Sequence, residues 1–144
     1  MQDPFCHTSS IRVARPAAEV WPLIADGLAQ GAWAWGSADR TDLGGGLFRG
    51  VSIFDGKETF VRLLPDPDRW LVDYEVGRTR EALQFRNSAR VIPGVLLGLG
   101  EDACVVTLMT WRLASQSDAD WAQISTVHEA EMYMIRGLAE RGLP

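Results

Sequence analysis

From residue 47 to residue 113 the chain keeps returning to an alternation of apolar and polar residues, and from about residue 117 it switches to a helical period that runs to about residue 141. That order confines the fold more than any other feature. Extended segments are expected at 47–54, 57–64, 70–76, 83–92 and 103–113. Asp55-Gly56 is a hairpin signal between the first two, and Pro65-Asp66-Pro67-Asp68 between the next two reads as a loop that no ladder crosses. A Gly/Pro-rich connection over 93–101 precedes the last strand. Strands joined in sequence this way run antiparallel, so the middle of the chain is a meander and its end is one long helix capped by Ser117 or Asp118.

Upstream, residues 10–15 alternate and meet Pro16, which marks a first short strand. Val20, Leu23 and Ile24 are spaced for a helix over 17–26 closing at Gly27, and a second helical stretch is expected from Leu28 to about Trp35. Gly44-Gly45-Gly46 is a turn; it lacks the Gly-Lys-Ser/Thr that a phosphate loop needs. With no repeat or linker, residues 1–144 read as one α+β domain, with about 1–8 a flexible lead-in.

Composition narrows the function. Hydrophobic residues are 47% and charged residues 23%, the balance of a folded domain. The formal charge of -5 supplies no field for phosphate backbones, so nucleic acid is not an expected partner. No apolar run nears the roughly 20 residues of a membrane helix, and no basic-then-apolar leader opens the chain, so membrane insertion is not expected and a cytoplasmic location is. Cys6, Cys104, His7 and His128 form no ligand spacing, so neither metal nor cofactor is expected; the two cysteines could form one bridge at most and read as buried or bystander thiols. Six tryptophans beside two tyrosines suit an aromatic-lined interior.

Several segments, taken in order, resemble the SRPBCC or START-like helix-grip superfamily, in its polyketide cyclase/dehydrase-like branch. They are Arg15-Pro16-Ala17-Ala18-Glu19-Val20-Trp21, Gly46-Leu47-Phe48-Arg49, Asp55-Gly56, Leu63-Leu64 ahead of Asp68-Arg69, Asp73-Tyr74, and Tyr133 with Gly137-Leu138. The resemblance spans nearly the whole chain. It implies a curved antiparallel sheet of six to seven strands wrapped around the C-terminal helix, two short helices after the first strand, and a cavity between sheet and helix whose mouth Trp33 and Trp35 cap. Many relatives carry a glutamate where this chain has Val61 and a tryptophan where it has Thr107.

Sorting strands by parity gives an inward set. Arg49 shares a face with Leu47, Val51 and Ile53; Tyr74 follows Trp70 and Val72; Phe85 and Asn87 precede Ala89; Thr107, Met109 and Trp111 follow Val105. On the terminal helix Glu131 falls within the stripe Ile124, Val127, Met134, Ile135 and Leu138, with His128 beside it. The expected ligand-binding set is therefore Arg49, Tyr74, Asn87, Thr107, Trp111, Trp33, Trp35, Phe85 and Met109. It suits a small, largely apolar ligand, aromatic or acyl in body, and the chain is read as a monomer or homodimer. A second reading is a cyclase or dehydratase in which His128, Glu131 and Arg49 supply base and oxyanion donor. A third is a protein-interaction module with a vestigial cavity. Arg49 and Glu131 could equally be a structural ion pair.

Overall fold

The computed structural model describes residues 1–142. Seven strands form one antiparallel sheet: β1 (Cys6–Val13), β2 (Ala38–Asp42), β3 (Leu47–Val51), β4 (Glu58–Asp66), β5 (Leu71–Gly77), β6 (Gln84–Pro93) and β7 (Cys104–Trp111). Their spatial order is β1-β7-β6-β5-β4-β3-β2, so the meander is continuous and β1 pairs with the last strand. Two short helices, α1 (Ala17–Ala25) and α2 (Gly27–Gln30), follow β1, and the long α3 (Asp118–Arg141) closes the chain. This is the expected helix-grip α+β architecture.

The core lies between the inner sheet face and the helices. Val13, Val72, Ala89, Val91, Cys104 and Val106 pack from the sheet against Val20 and Ile24 of α1 and Met132 and Ile135 of α3. Ser117 and Asp120 close a capping box that starts α3, with Asp118 and Asp120 in the first turn where the helix dipole favours negative charge. At the far end the Glu140 carboxylate accepts from the Ala14 amide at 2.9 Å, and Arg15 donates to the Glu140 carbonyl at 2.9 Å. The helix is thus tied to the end of β1.

Four local expectations need correction. The lead-in is shorter than residues 1–8, because β1 begins at Cys6 opposite Trp111. Pro65 does stand in the ladder, opposite Val72. It is tolerated because pairing with β3 ends at Arg62, so β4 has a neighbour on one side only there. Gly27 opens α2 instead of closing α1: Asp26 caps α2 through the amides of Leu28 and Ala29, and the Phe48 ring fills the space a Cβ at Gly27 would need. The second helical stretch ends at Gln30, a 3-10 turn covers Trp35–Ser37, and the edge strand β2 follows, a strand the alternation did not announce.

Candidate functional site

Between the inner sheet face and α3 lies a cavity of about 850 Å³, within the size range of small-molecule sites. Its apolar wall includes Trp33, Val61, Val76, Leu108 and Ile124. Its polar wall includes Ser37, Arg40, Tyr74, Arg86, Asn87, His128 and Glu131.

Glu131 is 4% exposed, and its Oε1 accepts the backbone N–H of Trp35 at 3.0 Å. Burial pushes its pKa up to about 8, against the opposing pull of the Trp35 amide and Arg40. At neutral pH it is predominantly a neutral acid. His128 Nε2 lies 3.9 Å from Glu131 Oε2, too far for a hydrogen bond. Burial first, then the nearby Arg86 and His7 charges, bring its pKa down to about 4, so it is a neutral imidazole at pH 7.

Two arginines line this hollow, and both leave the sheet where its register breaks. Arg40 follows Asp39, which sits in the left-handed region at φ 49°, at an irregularity in the β2–β3 pairing. It donates to the carbonyls of Ser37 at 2.9 Å and Gly27 at 3.0 Å, and to the Gln30 side chain. It is a structural staple holding α2 and the 3-10 turn to β2. Desolvation lowers its pKa to about 10, which leaves it charged at neutral pH.

Arg86 is the extra residue of a bulge: Tyr74 pairs with Asn87 and Glu75 with Phe85, so nothing on β5 stands opposite it. Thr110 straps the bulge, its hydroxyl meeting the Arg86 carbonyl and the Asn87 side-chain oxygen. Among the described residues no carboxylate pairs with the Arg86 guanidinium, and its Nε is buried without a partner. His128 Nδ1 and Ser37 Oγ are likewise buried and unpartnered. All three atoms belong to residues of the same cavity wall.

Of the expected site residues, Trp33, Tyr74, Asn87, His128 and Glu131 line the cavity. The Tyr74 hydroxyl donates to the Ile24 carbonyl at 2.6 Å and the Trp33 indole to the Leu23 carbonyl at 2.7 Å. These two rings are wall, with their polar atoms already satisfied. Trp33 is buried in the wall, 2% exposed, and so is not an exposed cap, and Trp35 contributes its amide to Glu131 while it is not among the lining groups.

Arg49 points the other way. Its side chain is 48% exposed and lies 3.5 Å from Glu58 on the neighbouring strand, so it can neither grip a ligand in the cavity nor pair with Glu131. The inward residues of β3 are Phe48 and Gly50; a Cβ at Gly50 would run into Ser37 Oγ, so only glycine lets the 3-10 turn cross the strand there.

Phe85, Thr107, Met109 and Trp111 also lie on the outer face. Phe85 stacks at 5.2 Å on Trp111, and in β7 it is Cys104, Val106, Leu108 and Thr110 that are buried. β7 is apolar on both faces, so alternation carried no sign there, and in β6 a register shift beside Arg86 turns Phe85 outward. The residues missed were Arg40, Arg86 and Ser37. In the sequence they stand only as a serine, an arginine after an aspartate and an arginine among outward polar residues, and none of these marks a site without the register.

No protein-family model and no curated protein matches the sequence. Solved structures do match it. The chain has the helix-grip fold of the SRPBCC proteins. It superposes on the Zhui aromatase/cyclase from Streptomyces sp. R1128 with a TM-score of 0.66 and 19% identity, over 94% of this chain and 93% of that one. The Aha1 dimer from Colwellia psychrerythraea matches with a TM-score of 0.68 and 12% identity over 94% and 96% of the two chains. An uncharacterised protein from Bacillus thuringiensis matches with a TM-score of 0.70 and 15% identity over 93% and 98%. At these identities the likeness is one of fold.

Proposed function

We propose that the protein binds a small, largely apolar molecule, aromatic or acyl in body, in the cavity between the sheet and α3. The observation that carries this reading is a hollow of about 850 Å³ with aromatic and aliphatic walls, among whose lining residues Ser37, Arg86 and His128 each hold a buried polar atom without a partner. Each such atom costs about 1–3 kcal/mol when left unsatisfied, so this wall holds more polarity than its own packing compensates. Native mass spectrometry of protein purified from its own host, followed by thermal-shift screening against aromatic and acyl compounds, tests it. A co-purified small molecule or a rise in Tm with compounds of this class supports the reading; no adduct and no shift across the panel counts against it.

A second reading, a cyclase or dehydratase acting in the same cavity, is favoured by two observations. A neutral imidazole stands 3.9 Å from a buried carboxyl, and the Zhui structure of the same fold is an aromatase/cyclase. In that chemistry His128 takes a proton from an acidic C–H and Glu131 gives one to the departing oxygen. The low pKa of His128 makes it a weak base, which ranks this reading second. If His128→Ala and Glu131→Gln both leave turnover of a poly-β-carbonyl chain unchanged, these roles are wrong.

A further inference from the structure

We propose that the ligand is an organic anion, with a carboxylate, phenolate or enolate oxygen held by Arg86 beside His128 in the wall of the cavity. The inference rests on the reading of the cavity as a ligand site and goes further by giving the ligand its charge.

A guanidinium withdrawn from water is costly unless an anion or good acceptors compensate it. The other cationic groups about the cavity have them. Arg40 is held by two backbone carbonyls and Gln30, and Arg78 lies 2.9 Å from Asp55. The acidic groups nearby are already engaged: Asp55 with Arg78, Asp120 in the capping box of α3, and Glu131 with the Trp35 amide. Arg86 alone among these has neither hydrogen bond nor ion pair from its guanidinium among the described residues, and its Nε has lost water as well.

The chain also spends a bulge on it. In an unbroken β6 the parity that places Ala89 and Val91 in the core would turn residue 86 to the outer face; the extra residue re-aims it into the hollow. His128 lines the same wall, near enough for Arg86 to bear on its charge, so one oxyanion held by Arg86 in a charge-assisted pair would lie close to the imidazole.

The test uses matched acid and amide pairs, 2-naphthoate against 2-naphthamide and decanoate against decanamide, titrated calorimetrically into the full chain at pH 7. The expected result is at least tenfold tighter binding of the acid in one pair. Arg86→Gln is expected to bring acid and amide within about twofold of each other, while Arg86→Lys keeps part of the preference. Equal binding of acid and amide by the unaltered protein, or a preference that survives in Arg86→Gln, overturns the inference and leaves the cavity reading standing. Binding of none of the four compounds counts against the cavity reading, and the anion proposal falls with it.

Thermal unfolding without ligand gives an independent readout. Removing an uncompensated, partly buried cation is expected to leave Tm unchanged or higher in Arg86→Gln and in Arg86→Leu. A fall of more than about 5 °C in both, about 1.5 kcal/mol for a domain of this size, makes Arg86 a structural residue and overturns the proposal.

Discussion

Glu131 and His128 sit one turn apart on α3, and burial moves both toward neutrality, so they shape stability in opposite senses. The folded chain keeps the Glu131 proton up to about pH 8, whereas an unfolded chain releases it near 4.5. Its contribution is therefore complete below pH 4.5 and is lost as pH rises through 8. The folded chain keeps His128 unprotonated down to about pH 4, whereas an unfolded one takes up a proton near 6.5, so that contribution is complete above 6.5 and is lost on acidification. Between pH 4.5 and 6.5 the two slopes oppose each other; between 6.5 and 8 Glu131 acts without that opposition. At about 1.4 kcal/mol per pH unit, the protein is expected to lose about 2 kcal/mol across that upper window. Glu131→Gln, which keeps an acceptor for the Trp35 amide, is expected to be nearly flat there. Urea denaturation at pH 6.5 and 8 checks this, and parallel slopes in the two proteins would mean that Glu131 is not the titrating group.

Which elements form was largely legible in the sequence; which way their side chains face was less so. Strands β4 to β7 and α3 stand within a residue or two of where period and turn signals put them, because each is bounded by proline, glycine or a cap. Parity held for Thr59, Val61 and Leu63 and for Val72, Tyr74 and Val76, whose outward neighbours are mostly polar. It failed for Arg49 and Thr107, on strands with apolar residues on both faces, and for Phe85 and Arg86, where a bulge reverses the count halfway along β6. A bulge is set by packing across strands and leaves no local mark, so both cavity arginines escaped notice. The β3 crossing gives a test at this scale. Gly50→Ala drives a methyl into Ser37 and the Ala38 carbonyl and is expected to cost about 1–3 kcal/mol, whereas Gly36→Ala, with open space around it, is expected to be near neutral. Equal losses in denaturant titrations would contradict the packing described for that turn.

Taken whole, the molecule is a sheet with two managed edges and a hollow between them. The β1 edge is fastened to α3 through Glu140, and the β2 edge is short, irregular and charged, which discourages pairing with another chain. No helix of the described residues is long and apolar enough to cross a membrane. If the hollow serves occupancy and not folding, filling it should separate the two properties. Val76→Phe is expected to weaken binding of naphthoate and naphthamide alike by at least tenfold while lowering Tm little; a large stability loss with binding intact would show that the space is closed in solution.

The bond from Trp35 to Glu131 gives the cavity a gauge of its own. One amide proton of the 3-10 turn rests on a buried carboxyl of the cavity wall, whose ionisation and surroundings an occupant beside it would alter. Its nitrogen-15 resonance and its rate of exchange into deuterium therefore register both filling and deprotonation at a known atom, with no reporter dye and whatever the chemical identity of the occupant.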